Sequence, residues 1–466
     1  MRNLFFTILF LLSGNLFAQT ITCDNPNYTD AFKLAINTVD INIRRGILAA
    51  GGDYGGEWTR DIAINTWNGV SFLRPEVAKQ SLWSVTVRKD SIGHQYWDQI
   101  IWVVAALNHY KVTGDLEFLK QAYKCSANTM KHLQVYAFDN KYGLFTGPSV
   151  FNDGIAGYPE PIYDKTNNSS NVLEHKNSKN IKCLSTNCVY YGAYLSLIEM
   201  GQILKADNDL IHSYQMEAKI LKVNILKYFY VEGENRLNYL IDNAGNVDKS
   251  QEGLGISFAV IFNILNKDQA FKLIQNATTS KFGITSIYPD FPRYSPSQPG
   301  RHNNIIWPMV NGFFAKASII SGNQGVFLKE LNSLTQLALD QDKGDYNFRE
   351  IYNPYTGAPD GGWQTNKHWN SCKLQTWSAT AYINMILFGL AGIRIENDGI
   401  LFSPYLPEST HYMEIRDIHY HQAVLNISIK GNGSKIKSFI LNGKSQKKYR
   451  IDSDIKGTNE IKIELF

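Results

Sequence analysis

A repeated helical pattern runs through most of this chain. Between residues 30 and 391, apolar side chains recur at the three- and four-residue spacing of amphipathic helices, which are separated by long loops rich in Gly, Asn and Pro. The clearest predicted helices are residues 97–112, 116–136, 189–205, 211–230, 269–277, 309–320, 325–340 and 374–390. Continuous β patterning is missing there, so the sequence predicts a mainly α-helical fold.

The loops and the C-terminal region refine this prediction. Loops after alternate helices are longer and richer in aromatic and polar residues, as in residues 139–182 and 281–307. One rim of a helical barrel built from helix pairs would gather such loops together. From residue 392 onward the pattern changes to short alternating segments bounded by Gly and Asn turns. We therefore predict a helical barrel over residues 19–391, followed by a small antiparallel β domain over residues 392–466.

The first 18 residues have the pattern of a secretory signal. Arg2 precedes an apolar run at residues 4–12, and Leu16-Phe17-Ala18 predicts cleavage after Ala18. The run is too short to span a bilayer, and no other stretch approaches the ~20 apolar residues required. We therefore expect an exported protein, periplasmic or secreted, with no transmembrane segment.

Five cysteines remain after such cleavage, and an oxidising compartment permits disulfides. Cys183 and Cys188 are close enough in the sequence to close a small loop, although the spacing does not decide the pairing. No cysteine or histidine spacing resembles a zinc site, so no cofactor is predicted.

Composition limits the classes of partner. The 466 residues are 44% hydrophobic, which is enough for a large core and more than one domain. The formal net charge is only +4, and no basic block or basic helix occurs, so nucleic acid is not an expected partner. Aromatic residues make up 13%, which suits carbohydrate binding but also suits a core. Oligomeric state is not predicted.

The segment at residues 347–363 places one carboxylate, Glu350, just before a tight turn. Asn353-Pro354 and Thr356-Gly357 are strong turn signals, and catalytic groups are often presented on such loops. The aromatic residues of the segment can stack on the C–H faces of a sugar. They are Phe348, Tyr352, Tyr355 and Trp363. The alternative is a buried glutamate that only ties down the turn.

This segment resembles one in glycoside hydrolase family 63, which includes the mannosylglycerate hydrolases. Those enzymes carry Trp-Glu-x-Tyr-(Asn/Asp)-Pro-x-(Thr/Asn)-Gly near the end of their barrel, and its Glu is the catalytic general base. The chain has Glu350-Ile-Tyr352-Asn353-Pro-Tyr-Thr-Gly357, with Arg349 where the family has Trp. The resemblance implies that Glu350 is the general base.

Hydrolysis of a glycosidic bond needs a second carboxyl group. Asp153 is the best candidate, because it lies in a long aromatic loop that follows a predicted helix. Asn152-Asp153-Gly154 also resembles the segment that carries the acid in six-hairpin glycosidases. The alternative is an Asp-Gly turn in which Asp153 caps its own backbone.

Trp58-Thr-Arg60-Asp61 resembles a Trp-x-Arg-Asp element of (α/α)6 glycosidases. In those relatives the Arg and Asp bind hydroxyls of the sugar in the −1 subsite, and a guanidinium fork beside a carboxylate suits that role. Asp61 is also the rival general acid, and Glu57 is a weaker member of the cluster. The alternative is a buried Arg–Asp pair that fastens two helices.

Two aromatic–polar pairs complete the first half of the predicted binding shell. Trp97 and Asp98 begin a predicted helix and are available to the rim, although Asp98 equally suits a first-turn acid. Residues 301–312 resemble a His-Asn-Gly-x-x-Trp-Pro-x-x-Asn-Gly element of the superfamily, which implies that His302 and Trp307 line the pocket. A core histidine is the competing interpretation for His302.

Trp363, Gln375 and Trp377 resemble residues around the closing helix of the family. The resemblance implies that Gln375 and Trp377 face the site, while Trp377 could equally belong to the core.

These elements occur in the order found in six-hairpin (α/α)6 glycosidases, over residues 55–379. The resemblance implies an inverting enzyme that acts at the non-reducing end of an oligosaccharide or glycan, with Asp153 as acid and Glu350 as base. An acid of this kind needs a raised pKa, and aromatic burial around Asp153 is expected to raise it. Several relatives carry a structural calcium, but no ligand spacing here indicates one.

The substrate and the class of activity stay open at this point. An α-glucoside is the first expectation, with α-mannoside and α-rhamnoside as alternatives. A polysaccharide lyase, a phosphorylase of similar fold and a non-catalytic glycan-binding protein are competing functions. The paired carboxylates argue against the lyase, which normally uses a Tyr or His base.

Overall fold

The computed structural model describes residues 19–55 and 58–466. The predicted leader and Glu57 therefore lie outside the described residues. The α-helices are α1 Pro26–Ile41, α2 Thr59–Asn65, α3 Ser71–Leu73, α4 Pro75–Ser84, α5 Ile101–Thr113, α6 Leu116–Tyr136, α7 Leu184–Leu204, α8 Asn208–Phe229, α9 Gly253–Ile261, α10 Lys267–Asn276, α11 Pro308–Ile320, α12 Gln324–Leu339 and α13 Thr376–Asn384. None of the described helices is long and apolar enough to cross a membrane.

Helices that alternate along the chain form an inner ring and an outer layer. Within the described residues, α2, α5, α7, α9, α11 and α13 contact one another in that order, and α13 returns to α2. The other long helices pack outside this ring: α1 on α13, α4 on α5, α6 on α5 and α7, α8 on α7, α10 on α9, and α12 on α11. Each outer helix thus precedes the next inner helix in the sequence.

Burial accounts for the different outcomes of the prediction at α6 and α9. The outer helix α6 has one buried face, and it spans residues 116–136 as predicted. The inner helix α9 is buried on almost every side, so it shows no amphipathic period and was not among the predicted helices. Predicted helices also began too early where turns precede them. Residues 97–100 lie outside α5, and α13 begins at Thr376 rather than 374.

Two inner helices end in π-helical turns. Helix α2 continues into a π-turn at Thr66–Val70, where Gly69 has a φ of 156°. A Cβ at Gly69 would lie 2.7 Å from Cγ2 of Ile383, so the close approach of α2 to α13 requires glycine there. Helix α13 continues into a second π-turn at Met385–Leu390. Such π-turns are often found at functional sites.

Most strands within the helical part are two-residue hairpin pairs. The strands are β1 Thr20–Cys23, β2 Ile43–Arg44, β3 Ile47–Leu48, β4 Thr86–Val87, β5 Ser91–Ile92, β6 Phe138–Asp139, β7 Leu144–Phe145, β8 Lys182–Cys183, β9 Tyr230–Val231, β10 Arg236–Leu237, β11 Leu240–Ile241, β12 Val247–Asp248, β13 Gln251–Glu252, β14 Ile287–Tyr288, β15 Trp363–Gln364, β16 Lys367–His368, β17 Ile393–Ile395, β18 Gly399–Phe402, β19 Tyr412–Tyr420, β20 Gln422–Lys430, β21 Ile436–Leu441, β22 Lys444–Ser445, β23 Arg450–Asp452 and β24 Lys456–Leu465.

The C-terminal region contains a six-stranded sheet in the order β1-β19-β20-β24-β21-β22 and a three-stranded sheet in the order β17-β18-β23. The N-terminal strand β1 also belongs to the larger sheet, where Thr20 pairs with Arg416. Residues alternate between buried and exposed along β24, which places Ile461, Ile463 and Leu465 on the core face. The region was predicted to be antiparallel, but β20 and β24 are parallel neighbours, and the three strands β21, β22 and β23 separate them in the sequence.

The five cysteines are all free and buried. Cys183 and Cys188, whose spacing allowed a disulfide, are therefore unpaired. Cys183 precedes the first turn of α7, whereas Cys188 lies within that helix with its sulfur 4.0 Å from the carbonyl oxygen of Gly255.

Two glutamates are buried in the helical part and form no ion pair with the described residues. Glu330 accepts hydrogen bonds from the backbone N–H of Ile284 (3.0 Å) and from Nδ2 of Asn311 (2.7 Å), and burial raises its pKa to about 7. Glu252 accepts hydrogen bonds from Ser149 Oγ and from the Ser185 N–H, and burial also raises its pKa to about 7. The folded protein thus holds protons that the unfolded chain releases near pH 4.5.

This difference predicts that stability falls as the pH rises from about 4.5 to about 7. Glu330→Gln removes one such group, so the variant should lose less stability between pH 5 and pH 8 than the wild type, on the order of 2 kcal/mol. Thermal unfolding at both pH values measures the effect. Glu117→Gln, at a side chain that is 81% exposed, is the control and should follow the wild type. Parallel curves for wild type and Glu330→Gln would contradict the assignment.

Candidate active site

A cavity of about 370 Å³ opens where the first residues of α2, α11 and α13 meet the long loops. Its lining comes from the segments before those helices and from the loops at residues 139–182, 281–307 and 341–375, which lie together on one rim. The lining residues are Ala50, Tyr54, Trp58, Arg60, Asp61, Phe151, Asp153, Gly154, Ser170, Asn171, Arg301, His302, Trp307, Glu350, Gln364, Trp369, Gln375 and Trp377.

Glu350 is buried at one wall of this cavity and held by three donors. Arg301 Nη2 donates to its Oε1 at 2.9 Å, and the Cys372 N–H donates to its Oε2 at 3.3 Å. The hydroxyl of Tyr54 lies 3.1 and 3.0 Å from the two carboxylate oxygens. Burial and the negative charge of Glu350 raise the pKa of Tyr54, so this phenol keeps its proton and donates it. The carboxylate is thus fixed in one orientation toward the cavity.

Arg301 is itself positioned on both sides. Its backbone N–H donates to the Trp363 carbonyl at 2.9 Å, and its Nη1 donates to the Gly361 carbonyl at 2.9 Å. The guanidinium lies 5.4 Å from the ring centroid of Trp307 and 5.3 Å from that of Trp369. Cation–π contacts with these two rings restrict the side chain. Arg301 can therefore hold Glu350 without swinging into the cavity.

Asp153 occupies another part of the wall, and its side chain is 27% exposed. Arg60 Nη2 donates to Asp153 Oδ2 at 3.2 Å, and Gln95 Nε2 donates to the same oxygen at 3.4 Å. Burial is the largest single influence and opposes ionisation, but the charge of Arg60, the hydrogen bond from Gln95 and the other nearby groups together outweigh it and hold the pKa of Asp153 below its usual value. The expectation that aromatic burial raises this pKa is therefore wrong, because a guanidinium lies beside the carboxylate.

Arg60 is shared by three carboxylates. Its Nη1 donates to Asp98 Oδ2 at 3.1 Å, its Nε lies 3.6 Å from Asp61 Oδ2, and its guanidinium lies 4.9 Å from the ring centroid of Trp58. Burial raises the pKa of Asp61 to about 7 and that of Asp98 to about 6, although Arg60 opposes both shifts. One cation cannot neutralise three carboxylates, so the cluster retains protons near neutral pH, and its titration belongs to the group as a whole.

The loop that carries Asp153 is tightly constrained. Phe151 adopts a left-handed conformation with a φ of 62°, which is rare and strained for a bulky residue and common near functional sites. The Asp153 carbonyl accepts a hydrogen bond from the Val172 N–H at 2.8 Å. A Cβ at Gly154 would overlap Oε1 of Gln364 and the ring of His302, so only glycine fits behind the carboxylate.

His302 supports the same loop. Its Nδ1 lies 2.8 Å from Asn152 Oδ1, and its Nε2 lies 4.0 Å from Asp153 Oδ1. Burial lowers the pKa of His302 to about 3, so the ring is neutral. A neutral ring that donates from Nδ1 to Asn152 presents an acceptor, Nε2, toward Asp153.

An aromatic cluster forms the floor of the cavity. The ring of Trp307 lies 5.1 Å from Phe151, 5.0 Å from His302 and 5.5 Å from Trp377. These rings exclude water from beneath the two carboxylates and offer faces to the C–H groups of a sugar.

The structure brings most of the predicted site residues to this cavity. Those that line it are Asp153, Glu350, Trp58, Arg60, Asp61, His302, Trp307, Gln375 and Trp377. Asp98 does not line it, because it is buried behind Arg60.

Three predicted aromatic residues lie elsewhere. Trp97 is buried in the core before α5. Tyr352 is also fully buried, where its hydroxyl accepts from the Arg349 N–H at 2.9 Å and donates to the Asn347 carbonyl at 3.0 Å. Trp363 packs on His368 in a hairpin, and its neighbour Gln364 faces the cavity instead, since adjacent strand residues point to opposite sides.

Several lining residues were not predicted, and the contacts around Glu350 account for the most important of them. Tyr54 and Arg301 bind Glu350, while Trp369 packs on Arg301. Arg301 directly precedes the predicted His302, so the motif pointed to the correct segment but not to this residue.

A metal site was not predicted, and the described residues contain no group of three or more His, Cys, Asp or Glu side chains arranged to hold a metal ion.

The inner ring of helices carries this carboxylate-lined cavity at one end. The chain belongs to the mannosylglycerate hydrolase MGH1-like glycoside hydrolase family, whose family model matches residues 68–378, about two thirds of the sequence. Both Asp153 and Glu350 lie within the matched range. A comparison with curated proteins finds no match.

Solved structures share the fold at low sequence identity. The mannosylglycerate hydrolase of glycoside hydrolase family 63 from Thermus thermophilus, in complex with glucose, has a TM-score of 0.61 and 15% identity over 76% of this chain and 100% of its own. A sialidase has a TM-score of 0.72 and 17% identity over 92% of this chain. A family 78 rhamnosidase from a Bacillus species has a TM-score of 0.63 and 11% identity over 96% of this chain. The chain spans only 40% of the sialidase and 44% of the rhamnosidase.

Proposed function

We propose that this protein is an exported, inverting glycosidase that removes a sugar from the non-reducing end of an α-linked oligosaccharide. In this proposal, the inner ring and the outer layer of helices form an (α/α)6 barrel. Asp153 is the general acid and Glu350 is the general base. The observation that carries the proposal is the presence of these two carboxylates on the wall of one cavity, each beside a buried arginine.

The two carboxyl groups suit different tasks because their surroundings differ. Glu350 accepts hydrogen bonds from Tyr54, Arg301 and the Cys372 N–H, which orient it to take a proton from an attacking water. Asp153 is the more exposed group and belongs to a cluster that holds protons, so it can protonate the departing oxygen of the glycosidic bond. The anomeric carbon would lie between them, with water arriving from the Glu350 side.

The remaining lining residues suit recognition of the sugar. Asp61 and Gln375 can exchange hydrogen bonds with hydroxyls, while Trp307 and Trp58 offer apolar faces. The Thermus mannosylglycerate hydrolase was solved with glucose, which favours an α-glucoside as the first substrate to test. The rhamnosidase makes an α-rhamnoside the next, and an α-mannoside follows from the family description.

Proton sharing around Arg60 predicts the pH dependence of turnover. The cluster must hold a proton before Asp153 can deliver one, so kcat/KM should fall as the pH rises through about 6 to 7, where the cluster that contains Asp98 and Asp61 titrates as a group. Asp61→Asn removes one titrating group, so the fall in kcat/KM should occur at a different pH in this variant. In Glu117→Gln the fall should occur at the same pH as in the wild type. A rate that stays constant from pH 5 to pH 8 would contradict the shared proton.

The stereochemistry of the first product tests the proposed mechanism. Proton NMR during hydrolysis of an α-glycoside should show the β-anomer of the free sugar before mutarotation. Initial appearance of the α-anomer would instead indicate retention and make one carboxylate a nucleophile. Binding of oligosaccharides without any release of sugar would favour a non-catalytic glycan-binding protein.

A further inference from the structure

A second cavity lies at the opposite end of the inner helices. The first cavity is lined by residues at the starts of α2, α11 and α13, whereas the second is lined by residues near their ends, such as Trp67 and Ile320. Strand β17 contributes Arg394 to its wall. The cavity has a volume of about 540 Å³, which is larger than that of the glycosidase site and within the range of small-molecule pockets.

The charges that line this cavity are not balanced. Lys111, Lys316 and Arg394 contribute three cations, and Glu199 is the single carboxylate among the lining residues. Lys111 Nζ lies 2.5 Å from Glu199 Oε1, so these two charges neutralise each other. Two positive charges remain without a carboxylate partner within the described part of the chain.

Lys316 is the more unusual of the two cations. Lys316 is buried, with only 9% of its surface exposed. Its Nζ lies 4.6 Å from the ring centroid of Trp67 and 4.6 Å from that of Phe388. Among the described residues it has no hydrogen-bond acceptor, although an ammonium group has three donors. Burial and the nearby Arg394 lower the pKa of Lys316 to about 7. A buried ammonium group that lacks a hydrogen-bond acceptor is stabilised when an anion binds beside it.

Arg394 shares the same aromatic ring. Its guanidinium carbon lies 3.5 Å from the centroid of Phe388, on which Lys316 also packs, and its Nη1 donates to the carbonyl oxygens of Phe388 and Ile393. These acceptors are neutral, so they leave the charge uncompensated.

Two further donors in the wall have no partner. The side-chain nitrogens of Asn68 and Asn108 are buried without an acceptor in the described structure, and both residues line the cavity. Buried donors usually find acceptors. The cavity therefore has more hydrogen-bond donors than acceptors and more positive than negative charge. It lies next to the π-turns that end α2 and α13.

We propose that this cavity binds a small organic oxyanion, a carboxylate or a phosphate ester, whose charge is held by Lys316 and Arg394. The aromatic side chains of Trp67, Phe262 and Phe388 would contact its apolar body. This site is separate from the glycosidase cavity, and the proposal does not depend on the proposed reaction.

Isothermal titration calorimetry with benzoate and phenyl phosphate tests the proposal, with benzyl alcohol as the neutral analogue. At least one anion should bind the full-length protein, and Lys316→Met and Arg394→Gln should each weaken binding about tenfold or more. Arg301→Gln is the control for binding in the glycosidase cavity and should leave the affinity unchanged. Lys316→Met should fold, because methionine fills the same apolar space without a buried charge.

The two anions distinguish a carboxylate ligand from a phosphate ligand. The proposal would be overturned by the absence of binding of either anion below about 10 mM, by equal affinity in wild type and in both cavity variants, or by loss of binding in Arg301→Gln alone. Equally tight binding of benzyl alcohol would also overturn it, since the cations would then have no role.

Discussion

Replacement of Glu350 by glutamine is expected to lower kcat by roughly 10²–10⁴-fold on an oligosaccharide substrate, while KM changes little. Glutamine keeps the size of the side chain and can still accept a hydrogen bond from Tyr54 or Arg301. It cannot take a proton from water, so the loss should appear in kcat. Steady-state kinetics on the oligosaccharide that the wild type cleaves fastest measures the effect.

The matched control is Glu330→Gln. Glu330 is as deeply buried as Glu350, but it does not line the cavity, and its carboxylate accepts hydrogen bonds from Ile284 and Asn311. This variant should retain wild-type kcat. If Glu330→Gln loses as much activity as Glu350→Gln, the loss reflects disturbed folding and does not support a general base.

Replacement of Asp153 by asparagine should have an effect that depends on the leaving group. With an oligosaccharide, whose departing oxygen needs a proton, kcat/KM should fall by roughly 10²–10⁴-fold. With a dinitrophenyl glycoside of the same sugar, the leaving group departs without protonation and the loss should be much smaller. A comparison of the two substrates measures the protonation step directly.

Asp164→Asn is the control for Asp153→Asn, because Asp164 lies in the same long loop but its carboxylate accepts hydrogen bonds from Thr166 rather than lining the cavity. It should behave like the wild type on both substrates. An equal loss on both substrates in Asp153→Asn would contradict the role of general acid and would make Asp61, in the same cluster, the next candidate.

The helical class of the fold could be predicted because the outer helices face solvent on one side. That exposure gives α6 and α12 a clear amphipathic pattern. The inner helices α2 and α9 are short and buried on nearly every side, so local spacing did not reveal them, and the ring itself depends on contacts between segments that are distant in the sequence. Strand β1 was missed for a different reason. Its partner β19 lies almost 400 residues away in the chain, and no local pattern encodes that pairing.

The sequence predicted those site residues that lie in turn-rich loops or at the start of a helix. Asp153 and Glu350 occupy loops whose composition marks them, and Arg60 lies in the first turn of α2. Tyr54 and Trp369 do not lie in a recognisable sequence motif. Their roles follow from tertiary contacts, of Tyr54 with Glu350 and of Trp369 with Arg301. The direction of the pKa shift of Asp153 could not be predicted from the sequence either, because it depends on the tertiary contact with Arg60.

Release of monosaccharides from a panel of α- and β-linked oligosaccharides, detected by chromatography, tests the central claim most directly. Wild type, Glu330→Gln and the double variant Asp153→Asn/Glu350→Gln would be measured side by side. We expect wild type and Glu330→Gln to release one sugar from α-linked members of the panel and the double variant to release almost none. Release by the double variant at the wild-type rate would contradict the assignment of these two carboxylates as the acid and base.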